Sequence, residues 1–185
     1  MKPLTKYQVL VVGAGHAGIE AALAAARCGA EVALITINKN TIGRMSCNPS
    51  VGGLAKGQMV REIDTLGGIM GLAADYSGIQ FKILNKSKGR AVWSPRAQVD
   101  KRLYERYVKD RVVKSPGIDV VEAEVANPII KNGKVGGVKT VDGCTISAEN
   151  VILTNGTFLN GLIHIGQKKI CLLYTSDAAD ERSSV

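Results

Sequence analysis

Residues 8–12 (QVLVV) are an unbroken apolar run of the length of a buried parallel strand. A glycine-rich turn, GAGHAG, follows at residues 13–18, and residues 19–28 (IEAALAAARC) are rich in strong helix formers. Gly29 ends that helix, and residues 31–37 (EVALITI) return as a second apolar strand. The pattern predicts a β-turn-α-β unit in under 40 residues. Residues 38–53 carry Gly43, Asn48-Pro49 and Gly52-Gly53 and read as a loop. A helix is predicted over 54–66, closed by Gly67-Gly68, and a strand over 79–84. Residues 86–95 are polar and irregular, and a long helix is predicted over 97–113 with Val99, Leu103, Tyr107 and Val108 as its apolar stripe. Three short strands follow at 119–126, 135–141 and 145–148, with Asn132-Gly133 and Asp142-Gly143 as hairpin turns. Residues 151–154 (VILT) then read as a further buried strand ahead of Asn155-Gly156. The expected fold class is α/β: a Rossmann-like βαβ unit, a helical insertion and a β-meander.

Composition changes this picture little. With 185 residues, 45% hydrophobic and 22% charged, the chain can build one domain with a core. No apolar run reaches the roughly 18 residues of a membrane span, and the N-terminus lacks the apolar stretch of a secretory leader. A cytoplasmic location without a membrane partner is expected. Cys28, Cys47, Cys144 and Cys171 form no CxxC pair, and with only His16 and His164 no metal site is expected. Cys28 reads as a core residue of the first helix and Cys144 as a structural residue of a hairpin.

Charge is unevenly placed. The net charge is +8, and residues 82–114 hold eleven basic and three acidic side chains. Such a run is either a solvated face or a surface for a phosphate-rich partner such as RNA. Trp93, inside the run, either packs in the interior or stacks on a base. The last residues, 171–185 (CLLYTSDAADERSSV), follow without turn, cap or periodicity. They resemble a conceptual translation of transposon-adapter DNA. The expected organisation is therefore a partial dinucleotide-binding domain over 1–170 and a non-native tail over 171–185.

The candidate chemistry starts at Gly13-x-Gly15-x-x-Gly18, which has the strand before it and the helix and second strand after it. Gly13 permits the tight turn, Gly15 lets backbone approach a pyrophosphate, and Gly18 lets the helix pack close to the sheet. Ala14, His16 and Ala17 complete the phosphate turn, His16 through its backbone N–H. The second strand should end in an acid that binds ribose hydroxyls. Here it ends in Asn38-Lys39. Asn38 can still hydrogen-bond a ribose as a neutral group, whereas Lys39 would suit a 2′-phosphate and so NADP. The order of βαβ unit, insertion, meander and return strand resembles the flavoproteins with two dinucleotide-binding domains, which favours FAD.

The blocks GAGHAGIEAALAAARCG (13–29), GRMSCNPSVGG (43–53), KGQMVREIDTLGG (56–68), GIQFKILNKSKG (78–89), SPRAQVDKRLY (94–104) and LTNGTFLNGLIHIG (153–166) carry a specific resemblance. The chain resembles, over about residues 7–166, the N-terminal part of the large FAD-binding subunit of the tRNA uridine-5-carboxymethylaminomethyl modification enzyme, the glucose-inhibited division protein A family. The resemblance implies an FAD-dependent enzyme that modifies the wobble uridine of tRNA at C5. It implies a homodimer that joins a GTP-hydrolysing subunit in a heterotetramer, with methylenetetrahydrofolate as one-carbon donor and NADH as reductant. Carried over by position, residues 13–18, Asn38, Val125 and Gly156 meet FAD, Val125 by its backbone on the adenine side. Cys47 matches a family cysteine implicated in activity; its thiolate would attack C6 of uridine or support flavin chemistry. Arg96, Lys101 and Arg102 either meet tRNA phosphates or stabilise a helix surface. One departure stands out: the family usually has Pro after Lys88-Gly89, and this chain has Arg90.

Two other readings compete. A folate- and FAD-dependent tRNA uracil-5-methyltransferase shares the opening turn but should carry an acid after the second strand. A non-catalytic FAD- or NAD-binding remnant fits a chain that lacks the family's later parts, and this segment alone is expected to be inactive.

Overall fold

The computed structural model describes residues 7–45 and 48–156, and the backbone of 161–165 and 168–172. The chain divides into two compact units: residues 1–42 with 115–185, and residues 43–114.

The first unit is built on a six-stranded sheet. Strand β1 (Tyr7–Val12) leads into helix α1 (His16–Arg27) and strand β2 (Val32–Thr36). Beyond the second unit come β6 (Ile118–Glu122), β7 (Val125–Lys131), β8 (Lys134–Thr140) and β9 (Thr145–Leu153). The spatial order is β6-β2-β1-β9-β8-β7. The first four run parallel, and β9-β8-β7 are antiparallel. A separate backbone hairpin joins β10 (Gly161–Ile165) and β11 (Lys168–Leu172).

Alternation explains the packing. All five residues of β2 are buried, as a strand covered on both faces requires. Leu10, Val12, Ala33 and Ile35 share one face with Val125, Val138 and Ala148, so the meander closes over that side. Val11 and Leu34, paired in register, point to the opposite face. Helix α1 packs on β1 and β2 with Ile19, Ala22 and Leu23 buried. Burying a side chain the size of Ile19 or Leu23 stabilises by about 1.5–3 kcal/mol. Helix α1 stops as its sequence dictates: Gly29 has φ 86°, its N–H donates to Ala26 O, and the Ala30 N–H donates to Ala25 O.

The second unit carries the expected helices and adds a small sheet. Its elements are β3 (Ser50–Gly52), α2 (Lys56–Thr65), α3 (Met70–Ser77), β4 (Gly78–Leu84), β5 (Ser94–Val99) and α4 (Lys101–Val113), with sheet order β3-β5-β4. Two expectations change here. Residues 94–99 form a strand, so the long helix starts at Lys101 instead of residue 97; the Asp100 carboxylate caps it, accepting the Leu103 N–H at 2.9 Å. Of the expected stripe, Val108 is buried in α4, but its buried partners are Tyr104 and Val112; Leu103 is exposed, Tyr107 is half-buried and Val99 is buried in β5. Helix α3 was not expected. Its Ala73, Ala74 and Ser77 are buried in an element that packs on α4.

Candidate functional site

The parallel strands of the first unit end on one edge, and β1 lies between β2 on one side and β9 on the other. Because α1 carries the chain from β1 to β2, the reversal of strand order falls between β1 and β9. Open α/β sheets bind ligands at such a switch point, outside the strands' carboxyl ends.

The turn after β1 is held by backbone. The Gly13 N–H donates to Ile35 O at 2.9 Å. A Cβ on Gly13 would lie 2.5 Å from Thr154 O, and Gly13 has φ 105°, a conformation that favours glycine. A Cβ on Gly18 would lie 1.8 Å from Gly13 O and 2.6 Å from Thr154 Oγ1. Thr154 completes the lock. Its Oγ1 donates to Val12 O at 2.8 Å and lies 3.1 Å from Gly13 O, while its N–H donates to Val12 O at 2.9 Å. Sequence reasoning passed over Thr154; a small hydroxyl residue ending a return strand is the signal that could have found it.

Gly15 differs from its neighbours. It is the N-cap of α1 at φ −75° and ψ −175°, exposed, and an added Cβ would meet nothing within 4 Å. Neither backbone strain nor packing therefore requires glycine there, whereas a ligand resting on the turn would. The Ile19 N–H donates to Gly15 O at 3.0 Å, starting the helix. The first-turn amides, Ala17 and Gly18 among them, have no acceptor within the helix. They aim at the space before Gly15, where the helix end supplies about half a positive charge. Ala14 is buried, and His16 and Ala17 lie in the first turn. These residues fit a bound pyrophosphate.

Asn38 follows β2 at the same edge. Its Oδ1 accepts the Asn40 N–H at 2.8 Å and its backbone O accepts the Thr41 hydroxyl at 2.8 Å, so the side-chain oxygen is committed locally. A ribose would be met by its Nδ2. The carboxylate missing from the end of β2 has a neighbour in space: Glu122 pairs with Thr36, and its Oε2 accepts the Lys39 N–H at 2.9 Å. Nothing local to residues 36–39 signals this contact, because Glu122 lies 83 positions from Lys39. Val125 is buried at the start of β7. Gly156 lies two residues beyond Thr154, exposed at φ 71°, with open space where a Cβ would stand. The structure thus gathers residues 13–18, Asn38 and Gly156 around the carboxyl ends of β1, β2 and β9. Cys47 lies outside the described residues. Cys28 is exposed at the end of α1, not in the core, because the C-cap position turns it outward; Cys144 is exposed at its hairpin.

In the second unit, Arg96 is half-buried on β5, opposite Gly52 and Lys82. With Arg61, Lys82 and Lys86 it lines a cavity of about 700 Å³, whose apolar lining includes Val51, Ala74 and Phe81. Lys101 and Arg102 open helix α4 and do not line that cavity. Both stand in the first turn, where the helix dipole disfavours cations. Trp93 is half-buried rather than interior. Among the described residues no group of three or more His, Cys, Asp and Glu could hold a metal, and no helix is long and apolar enough to cross a membrane.

Residues 8–177 match the family model for glucose inhibited division protein A. The tRNA uridine 5-carboxymethylaminomethyl modification enzyme MnmG of Cytophaga hutchinsonii is 54% identical over 165 residues, 89% of this chain and 27% of that protein. The enzyme of the same name from Aquifex aeolicus is also 54% identical over 165 residues, with the same shares covered. A crystal structure of Aquifex aeolicus GidA superposes with a TM-score of 0.83 at 54% identity, covering 89% of this chain and 28% of that one. A GidA-related protein from Thermus thermophilus shares the fold, at a TM-score of 0.57 and 18% identity over 94% of this chain and 64% of that one. The chain thus spans a little over a quarter of the length of the curated relatives it matches.

Proposed function

We propose a function from one premise: the chain belongs to the glucose inhibited division protein A family. It is the cofactor-binding front part of an FAD-dependent enzyme that modifies tRNA uridine. The observation that carries this reading is Gly15, a glycine at the mouth of a helix N-terminus that neither backbone nor packing requires. The turn of Gly13, Ala14, Gly15, His16, Ala17 and Gly18 holds the pyrophosphate. Asn38 and Gly156 lie beside it, and Val125 meets the adenine through its backbone. FAD is favoured over NADP because the Glu122 carboxylate at Lys39 would repel a 2′-phosphate. When bound, the flavin supplies redox and one-carbon transfer chemistry.

The finer reading follows the family. The whole protein forms 5-carboxymethylaminomethyluridine at the wobble position. It does so as a homodimer with a GTP-hydrolysing partner, using methylenetetrahydrofolate and NADH, in the cytoplasm. The Cys47 thiolate adds to C6 of uridine, which turns C5 into the nucleophile. Arg96, Lys101 and Arg102 bind tRNA phosphates. Residues 171–185 take no part and are a non-native tail. In a full-length enzyme carrying this segment, Cys47→Ala should keep the yellow flavin and lose the modified nucleoside. Unchanged tRNA product, read by mass spectrometry of nucleosides, would remove Cys47 from the chemistry.

A further inference from the structure

The segment between β4 and β5 holds the one tryptophan of the chain in an unusual setting. Asn85 at φ 60° and Gly89 at φ 99° bend it into two short turns, residues 86–88 and 90–92. The indole Nε1 donates to Lys86 O at 3.3 Å, which pins the ring by its edge. The Arg90 guanidinium stands 5.8 Å from the ring centroid, within cation–π range. Lys86, Lys88 and Arg90 are all exposed, and the ring is half-buried. Lys86 also lines the cavity that Arg61, Lys82 and Arg96 share with Asp64 and Asp75, and through the Lys86 carbonyl the ring is tied to a residue of that rim.

The cost of this arrangement is informative. A half-buried indole forgoes part of the stabilisation that full burial would give. Three neighbouring cations repel one another unless an anion lies among them. A phosphate-only surface would need the cations but not the ring, and a core tryptophan would need burial but not the cations. A flat ring fixed at its edge, bordered by arginine and lysines, satisfies what an unpaired nucleotide presents: an aromatic face and a phosphate.

We infer that Trp93 and Arg90 form a stacking platform for an unpaired base of RNA, with Lys86 and Lys88 meeting the adjoining phosphates. This rests on the tRNA reading and deepens it, because it assigns a contact to a loop of the substrate instead of its helical stems.

The single tryptophan makes the test site-specific. The chain is titrated with a 17-nucleotide anticodon stem-loop RNA (about that length), with single-stranded oligouridine and with a fully paired duplex, following indole fluorescence and, separately, anisotropy of labelled RNA. Expected are quenching by stem-loop and oligouridine but not by duplex, and about 5- to 100-fold weaker binding for Trp93→Ala. Trp93→Phe should retain most affinity, because phenylalanine also stacks. Lys88→Gln should lower the salt slope of log K by about 0.7, the share of one single-strand phosphate contact, while Trp93→Ala should leave that slope unchanged. Equal affinity of duplex and single strand, or full binding by Trp93→Ala with an unquenched wild-type indole, would overturn the platform. FAD retention, measured on the same samples, reports on the proposed function separately: flavin bound with no indole response sinks the platform alone.

Discussion

Two glycines three residues apart should respond to substitution in opposite ways. Gly15→Leu places its side chain in open space, at backbone angles any residue adopts. Its cost to the fold is the loss of a favourable N-cap glycine, at most about 1 kcal/mol, or roughly 2–4 °C in Tm for a chain of this size. Gly18→Ala adds a single methyl, yet that carbon falls 1.8 Å from Gly13 O and 2.6 Å from Thr154 Oγ1. The first contact is with backbone, so the helix must lift from the sheet or the turn must open. Overpacking of this kind costs about 1–3 kcal/mol, and Tm should fall by several degrees or more.

Ligand binding should order the two variants the other way. A leucine before the α1 amides keeps the pyrophosphate out of hydrogen-bond range. Each charge-assisted bond lost is worth about 1.5–3 kcal/mol. Two lost bonds mean about a hundred-fold or greater rise in Kd for FAD. Flavin fluorescence titration gives Kd, and differential scanning calorimetry gives Tm on the same preparations. Gly15→Leu that is stable and still binds FAD with wild-type Kd would refute the assignment of the turn as a phosphate site. Gly18→Ala with unchanged Tm would refute the lock between Gly13, Gly18 and Thr154.

Three further outcomes follow from the geometry. Thr154→Val removes the hydroxyl that donates to Val12 O while keeping its shape, and should lower stability by about 1 kcal/mol, read as a fall in Tm. Asp100→Ala removes the α4 cap and should cost about 1 kcal/mol as well, with faster amide exchange confined to the first turn of α4. Asp142 is fully exposed, and the Thr140 hydroxyl and then the Cys144 N–H hold its carboxyl below its usual value of 3.8. Its stabilising effect is therefore present above that value and is lost as pH falls through the lowered folded-state pKa. The Tm difference between the wild type and Asp142→Asn should shrink over that acid range and vanish below it; a difference that grows on acidification would reverse the sign.

The βαβ unit was legible because each of its signals is local. The run at 8–12, the spaced glycines and Gly29 all act within a few residues of where they stand, and β1, α1 and their turn appear where expected. The second unit was less legible because its signals are tertiary. Residues 94–99 have no strand alternation that outweighs the apolar spacing running on into α4. They become β5 because β3 and β4 pair on either side. Helix α3 is short and its buried face is Ala73, Ala74 and Ser77, residues whose small size carries no apolar period. The glycines of residues 52–57 also read differently in three dimensions: a Cβ on Gly52 or Gly57 would fall 2.3 or 2.6 Å from Pro95 O, so those positions are set by packing against β5 and not by a ligand.

The meander shows how a misplaced boundary can hide a functional residue. Residues 119–126 read as one strand and 145–148 and 151–154 as two. The structure divides the first into β6 and β7 and fuses the others into β9. A single strand of nine residues changes partner along its length, antiparallel to β8 at Thr145–Ser147 and parallel to β1 as far as Leu153. That continuity is what carries Thr154 to the turn after β1. Two separate strands joined by a bend would leave its position undetermined, whereas a continuous one in register with Val12 fixes its hydroxyl on Val12 O. The phosphate turn is therefore closed from both ends of the first unit's sequence, and the glycines at 13 and 18 are tied to a residue some 140 positions away. Thr154 thus adds a long-range reason for glycine at both sites to the local ones, the contact of Gly18 with Gly13 O and the φ of 105° at Gly13, and Gly15 is left as the position that neither backbone nor packing restricts.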